Sequence, residues 1–160
     1  MSKIKLGKII EVGRIICIIV GINIGYWNWV DPSLRLEIMT AILILSLSGT
    51  VAFGLLVLGD SASERTGYQT DTAFERQSGL NNLAMVIALL VVFVLRWNVY
   101  AYLALLIACL VFFFLSSLNH AWSWLKEGNK KTTNVLRPFL TLLLILSAVP
   151  AIILALRQIH

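Results

Sequence analysis

Glu75, Ser78 and Asn82 recur at helical spacing, so one helix face carries a carboxylate, a hydroxyl and a carboxamide, with Arg76, Gln77 and Asn81 beside them. An imidazole, His120, closes a later apolar run and is followed by Trp122 and Trp124. Histidine titrates near neutrality and arginine suits carboxylate or phosphate. With Arg14, the set fits a proton-linked or anion-binding pocket. The same residue types also have an ordinary use, since histidine and tryptophan at a membrane interface cap helices and satisfy one another. Glu11 and Arg14 lie three apart on one helix face, where they neutralise each other while their stems run along apolar surface.

Signatures of catalysis are mostly absent. His120 and His160 have no helical partner at ligand spacing, so no metal site is assigned. His160 also falls on the opposite side from His120, which argues against a bis-histidine haem within one chain. Cys17 and Cys109 sit far apart in apolar runs and read as buried small hydrophobes. There is no Cys-x-x-Cys pair, no phosphate-cradling glycine loop and no nucleophile elbow. The Glu75-Arg76 dipeptide resembles one in the glutathione-binding membrane enzymes, but the downstream spacing departs. No catalytic residue and no cofactor is assigned, and a membrane enzyme ranks last among the readings.

The elements that must position these groups follow from composition. Of the 160 residues, 59% are hydrophobic and 13% charged, against roughly 45–50% and about 25% in soluble domains. Lipid must solvate much of such a chain, and neither a disordered protein nor a disulfide scaffold has this balance. Apolar runs near residues 9–30, 36–59, 79–95, 98–119 and 135–156 predict an all-α bundle of five transmembrane helices in a single domain, residues 1–160. The third and fourth runs are separated only by Arg96, Trp97 and Asn98, which requires a tight helical hairpin. The first run contains Glu11 and Arg14 and has the alternative of a tilted or partly interfacial helix. Lys3, Lys5 and Lys8 before an apolar stretch resemble a signal peptide, but Tyr26, Trp27 and Trp29 follow it instead of a small-residue cleavage site. The segment is therefore retained.

Under five spans, Lys3, Lys5, Lys8, Arg14, Arg65, Arg76, Lys126, Lys130, Lys131 and Arg137 fall on one side, and Arg35, Arg96 and Arg157 on the other. Ten against three places the N-terminus in the cytoplasm and the C-terminus outside a cell membrane. The net charge of +5 is thus a topology signal, and no basic face with interleaved aromatics calls for nucleic acid. The two long loops, residues 60–78 and 120–134, both fall inside. Thr72 and Glu75 have capping-box spacing and predict a helix start at Thr72 that runs into the third span. Gly128 suits a left-handed helix cap, and Pro138 fits the first turn of the last helix.

Polar and small residues at membrane depth mark packing faces. Gly21 and Gly25 permit close helix approach, with Asn23 between them to hydrogen-bond across the contact. Ser46, Thr50 and Gly54 form a small-residue stripe four residues apart. Pro150 frees the carbonyl of Leu146 and kinks the fifth span.

The stretch GYQTDTAFERQSGLNNLA (67–84), NHAW around His120 and GNKKTTN (128–134) resemble a family of small bacterial and archaeal multi-span membrane proteins without an assigned activity. Gly67, Phe74, Gly79 and Asn82 match its first motif, His120 its second, and Gly128, Asn129 and Asn134 its third. Tyr68 replaces a tryptophan, Gln77 stands where the family has a glutamate, and Asn119 replaces a glycine. The resemblance implies the same span count and directs attention to the same polar cluster, adding Gln77 and Asn129. The overall build is also similar to DoxX-like membrane proteins, some linked to quinone redox partners.

These readings lead to a non-catalytic subunit or scaffold that packs in the lipid bilayer as a homo-oligomer or within a complex. The alternative is a binding or transport protein whose cytoplasmic-side pocket, drawn from Arg14, Glu75, Gln77, Asn82, His120 and Asn129, takes a small anion, a lipid headgroup or a quinone.

Overall fold

The computed structural model describes residues 3–59, 66–68 and 72–159; Arg65 and His160, used above, lie outside the described residues. Among the described residues the chain is all-helical. The helices are α1 (Lys3–Gly25), α2 (Pro32–Leu58), α3 (Thr72–Val94), α4 (Val99–Leu125) and α5 (Thr132–Ile159). α2 to α5 are long and apolar enough to cross a membrane. α1 is not, because its charges fill its first half. Residues 15–25 alone rise only about 16 Å at 1.5 Å per residue, roughly half of a ~30 Å hydrocarbon core.

Local chemistry sets the ends. Asp31 caps α2 by accepting from the Ser33 and Leu34 N–H groups, both at 3.0 Å, with Pro32 in the first turn. Asn98 caps α4 through the Tyr100 N–H at 3.1 Å. The hairpin before it turns at Arg96, which takes a left-handed φ of 52°. Gly128 adopts φ +70° after α4, where the Asn129 N–H returns to the Ser123 carbonyl at 3.0 Å. α2 widens into π-helical turns at Leu45–Gly49 and Gly54–Leu58, and Thr50 Oγ1 back-bonds to the Ser46 carbonyl between them.

Several boundaries differ from the apolar runs. α1 stops at Gly25 and residues 26–30 form turns in which Trp27 stacks on Trp29, since Asp31 and Pro32 already start the next helix. α3 begins at Thr72 and continues without a break to Val94. His120 does not end α4; no breaker precedes Gly128, so the helix continues to Leu125. α5 begins at Thr132, which puts Pro138 inside the helix in its second turn and leaves the Asn134 carbonyl without a helical donor.

α2 is the central helix. Leu36, Met39, Leu43, Leu106, Cys109, Ala148 and Ala151 meet fully buried where it packs on α4 and α5. Cys17, by contrast, is exposed on the outer face of α1. Gly21 and Gly25 seat α1: a Cβ on Gly21 would lie 2.9 Å from Ile42 Cγ2, and one on Gly25 would lie 2.9 Å from Ala151 Cβ. At that end of the bundle Arg35 is fully buried and donates to the Trp27 carbonyl (3.0 Å), Asn28 Oδ1 (3.3 Å) and Gln158 Oε1. The Tyr26 hydroxyl donates to the Ser147 carbonyl at 2.8 Å. The C-terminal end of α1 therefore lies beside the C-terminal half of α5.

Candidate functional site

The site lies at the opposite end from Arg35 and is built on three polar helix faces. On α4, Ser116, His120 and Ser123 share a face; on α5, Asn134 and Arg137 do; on α3, Glu75, Ser78 and Asn82 do. His120 is buried and fixed on both ring nitrogens. Arg137 Nη1 donates to Nε2 at 2.7 Å, and a guanidinium has no acceptor, so Nε2 carries the lone pair and the ring proton sits on Nδ1. Nδ1–H then donates to Asn134 Oδ1 at 2.7 Å, with the Tyr68 hydroxyl at 2.9 Å. Tyr68 also stacks on the ring, centroids 5.6 Å apart.

The loop that carries Tyr68 is tied down by carboxamides. Asn134 Nδ2 donates to the Thr66 carbonyl at 2.9 Å, and Asn129 Nδ2 donates to it at 3.1 Å and to the Gly67 carbonyl at 3.3 Å. Gly67 has φ +70° and passes so close to Lys131 and Asn129 that a Cβ would meet Lys131 Cγ at 2.9 Å. Burial raises the Tyr68 phenol above its ordinary value, with the charge of Glu127 adding to the rise. The Ser123 hydroxyl and the Arg137 charge pull it back.

A cavity of about 410 Å³ opens beside this network. Its wall takes Glu11 and Arg14 from α1, Thr50 and Gly54 from α2, and Glu75, Ser78 and Asn82 from α3, and it is closed by His120, Arg137 and Tyr68. Asn82 is 1% exposed; its Nδ2 donates to the Ser78 carbonyl at 2.9 Å, while its Oδ1 has no hydrogen-bond partner. Glu11 and Arg14 stand 3.9 Å apart. A second cavity, of about 370 Å³, adjoins the first and lies among α1, α2, α4 and α5.

A family model described as a family of unknown function, DUF6790, matches residues 14–160. The chain belongs to the DUF6790 family. No curated protein and no solved structure matches it, and the likeness to DoxX-like proteins has no match behind it. The DUF6790 match covers every residue of the polar cavity from Arg14 to Arg137.

Of the pocket residues singled out from the sequence, Arg14, Glu75, Asn82 and His120 line one cavity, brought together from α1, α3 and α4. Gln77 does not join them. It is exposed, because two residues after Glu75 the helix has turned to its other side. Asn129 holds the Thr66 and Gly67 carbonyls instead of lining the cavity. Among the packing residues, Gly21, Gly25 and Ser46 are buried. Asn23 is exposed and donates to its own helix, at the Ile19 carbonyl (2.8 Å), rather than across a contact. Gly54 makes no close approach, since nothing lies within 4 Å of a Cβ there and it faces the polar cavity. The close approach of α2 to α3 falls at Gly79, where a Cβ would meet Leu56 Cγ at 2.8 Å. Sequence reasoning missed Tyr68, Asn134 and Arg137 as site residues. The spacing of Asn134 and Arg137 on one face of an apolar helix was the available sign.

Proposed function

We propose that this DUF6790 protein is a multi-pass membrane binding protein that holds a small polar group in the cavity between Arg14, Glu75, Asn82 and His120. One observation carries the reading: Asn82 Oδ1, buried and unpartnered, lines that cavity. A buried acceptor left unmade costs about 1–3 kcal/mol, and a ligand that brings a donor offsets the cost. Perturbing groups gathered in a concave site are the ordinary mark of binding. The scaffold reading drew on small-residue faces that a partner helix would fill. Gly21 and Gly25 are instead covered from within the chain by Ile42, Met39 and Ala151, so these two glycines leave no open seat for a partner helix.

The topology belongs to the same proposal. In it α1 crosses with the other four helices, its charged half level with the cavity, and the excess of basic residues around the cavity supports a cytoplasmic position for that end. The C-terminus then lies outside. Native mass spectrometry of protein extracted from its own membrane tests the binding reading. Wild type carries a non-protein adduct that Asn82→Leu, similar in volume but lacking the acceptor, loses. A bare wild-type chain, or an adduct equally present in the variant, refutes it.

A further inference from the structure

The polar cavity does not end at His120. Arg14, Val51, Phe113, Ser116, His120 and Arg137 line both it and the second cavity, so the two abut with the arginines at the junction. The second part is mainly apolar, walled by Ile18, Ile22, Leu47, Phe113 and Leu144, with Asn23 and Ser147 at the end away from the arginines. Its rim includes Ile15, Ile19 and Leu143, which are 46%, 54% and 61% exposed, so it opens sideways through the outer surface of the bundle. Among the described residues no carboxylate lines this apolar part, whereas two guanidiniums do. Such a space is shaped for a molecule with an apolar tail and a polar head that enters from the bilayer.

The chemistry of the head follows from the junction and from Asn82. Guanidiniums beside low-dielectric walls favour an oxyanion, phosphate above all. Asn82 Oδ1 requires a hydrogen-bond donor. An oxidised quinone offers acceptors only, and an ionised fatty acid likewise has no donor for Asn82. A cleft of about 370 Å³ sits at the small end of the roughly 300–1,000 Å³ range of ligand pockets, which suits one hydrocarbon chain. We infer that the ligand is a single-chain phospholipid of the monoacyl glycerophosphate class, with its phosphate at Arg14 and Arg137, its glycerol hydroxyl toward Asn82, and its tail in the cleft between α1 and α5.

This inference rests on the binding reading, and its test separates the two. Affinities of 1-oleoylglycerol 3-phosphate and of glycerol 3-phosphate are measured for the full chain in phosphatidylcholine nanodiscs. The lipid binds at least tenfold tighter than the headgroup alone, and Ile19→Trp, which fills the cleft from its exposed rim, removes that advantage while leaving glycerol 3-phosphate binding unchanged. Leu143→Trp on the opposite rim repeats the result independently of any folding defect in the first variant. Equal affinity for lipid and headgroup overturns the tail site and leaves the polar pocket standing. Retention of the tenfold advantage in both tryptophan variants overturns the cleft assignment. Oleic acid binding as tightly as the phosphate lipid overturns the assigned head, and no binding of either phosphate probe overturns the ligand class altogether.

Discussion

Replacing Gly79 by alanine pits two effects of known size against each other. In a helix interior alanine is favoured over glycine by about 1 kcal/mol, so helix propensity alone predicts a gain. At Gly79 the added Cβ would stand 2.8 Å from both Leu56 Cγ and Cδ2 and 3.2 Å from Leu55 Cβ. The conflict involves the branch point of Leu56, so rotating a flexible tip does not relieve it, and overpacking of this kind costs typically ~1–3 kcal/mol. The net expectation is a loss of up to roughly 2 kcal/mol. Gly54→Ala supplies the internal reference, because nothing lies within 4 Å of a Cβ there and only the propensity gain of about 1 kcal/mol remains. Reversible unfolding in mixed micelles with increasing sodium dodecyl sulfate measures both, and the two variants should differ by about 1–3 kcal/mol. Leu56 is itself partly exposed to lipid, so Leu56→Ala removes the clashing branch at small cost, and the double variant recovers most of the Gly79→Ala loss. Equal stability of the two glycine variants, or no recovery on truncating Leu56, would refute the α2 to α3 contact. The contact has functional weight because Glu75 and Asn82 stand one turn to either side of Gly79.

The remaining predictions concern the imidazole, its clamp and the topology. Nitrogen-15 spectra of His120 should show the tautomer protonated on Nδ1, and a ring protonated on Nε2 alone would contradict donation from Arg137. Asn134→Ala removes the acceptor of that proton and a donor to the Thr66 carbonyl at a fully buried site. It should cost roughly 2–3 kcal/mol, against under about 1 kcal/mol for Asn129→Ala nearer the surface; the reverse ranking by thermal unfolding would exclude the clamp. Single cysteines introduced at Lys130 and at Trp29 should react with membrane-impermeant maleimide from the cytoplasmic and the external side respectively, and labelling of both from one side would overturn the five-span arrangement.

Helices were legible because a membrane demands long apolar runs, and starts and stops were legible where the side-chain chemistry is local, as at Thr72 and Gly128. The depth of α1 was not, because Lys8, Glu11 and Arg14 interrupt the run that length arguments count. Arg14, Glu75, Asn82 and His120 stood out by type alone, since each is expensive at membrane depth. What periodicity did not supply was rotation. In water the apolar stripe of a helix reveals its inner face, but here lipid and bundle are both apolar, so Gly54 looked suited to packing while the close approach falls at Gly79.

Polarity then has to do the work that hydrophobicity does in a soluble protein. Where three polar residues repeat on one face, that face turned inward: Glu75, Ser78 and Asn82 on α3, Ser116, His120 and Ser123 on α4, Asn134, Arg137 and Thr141 on α5. None of these nine residues is exposed. A solitary polar residue gave no such guidance, and Asn23 is exposed. Asn23 shows why: a lone carboxamide can place its donor on its own helix, here at the Ile19 carbonyl, and turn the rest outward, whereas a stripe also carries acceptors and charges that a helix's own carbonyls cannot serve. By that criterion Arg137 was identifiable beforehand as more than a topology charge. Its neighbours at 134 and 141 place it on an inward stripe facing the stripe that carries His120.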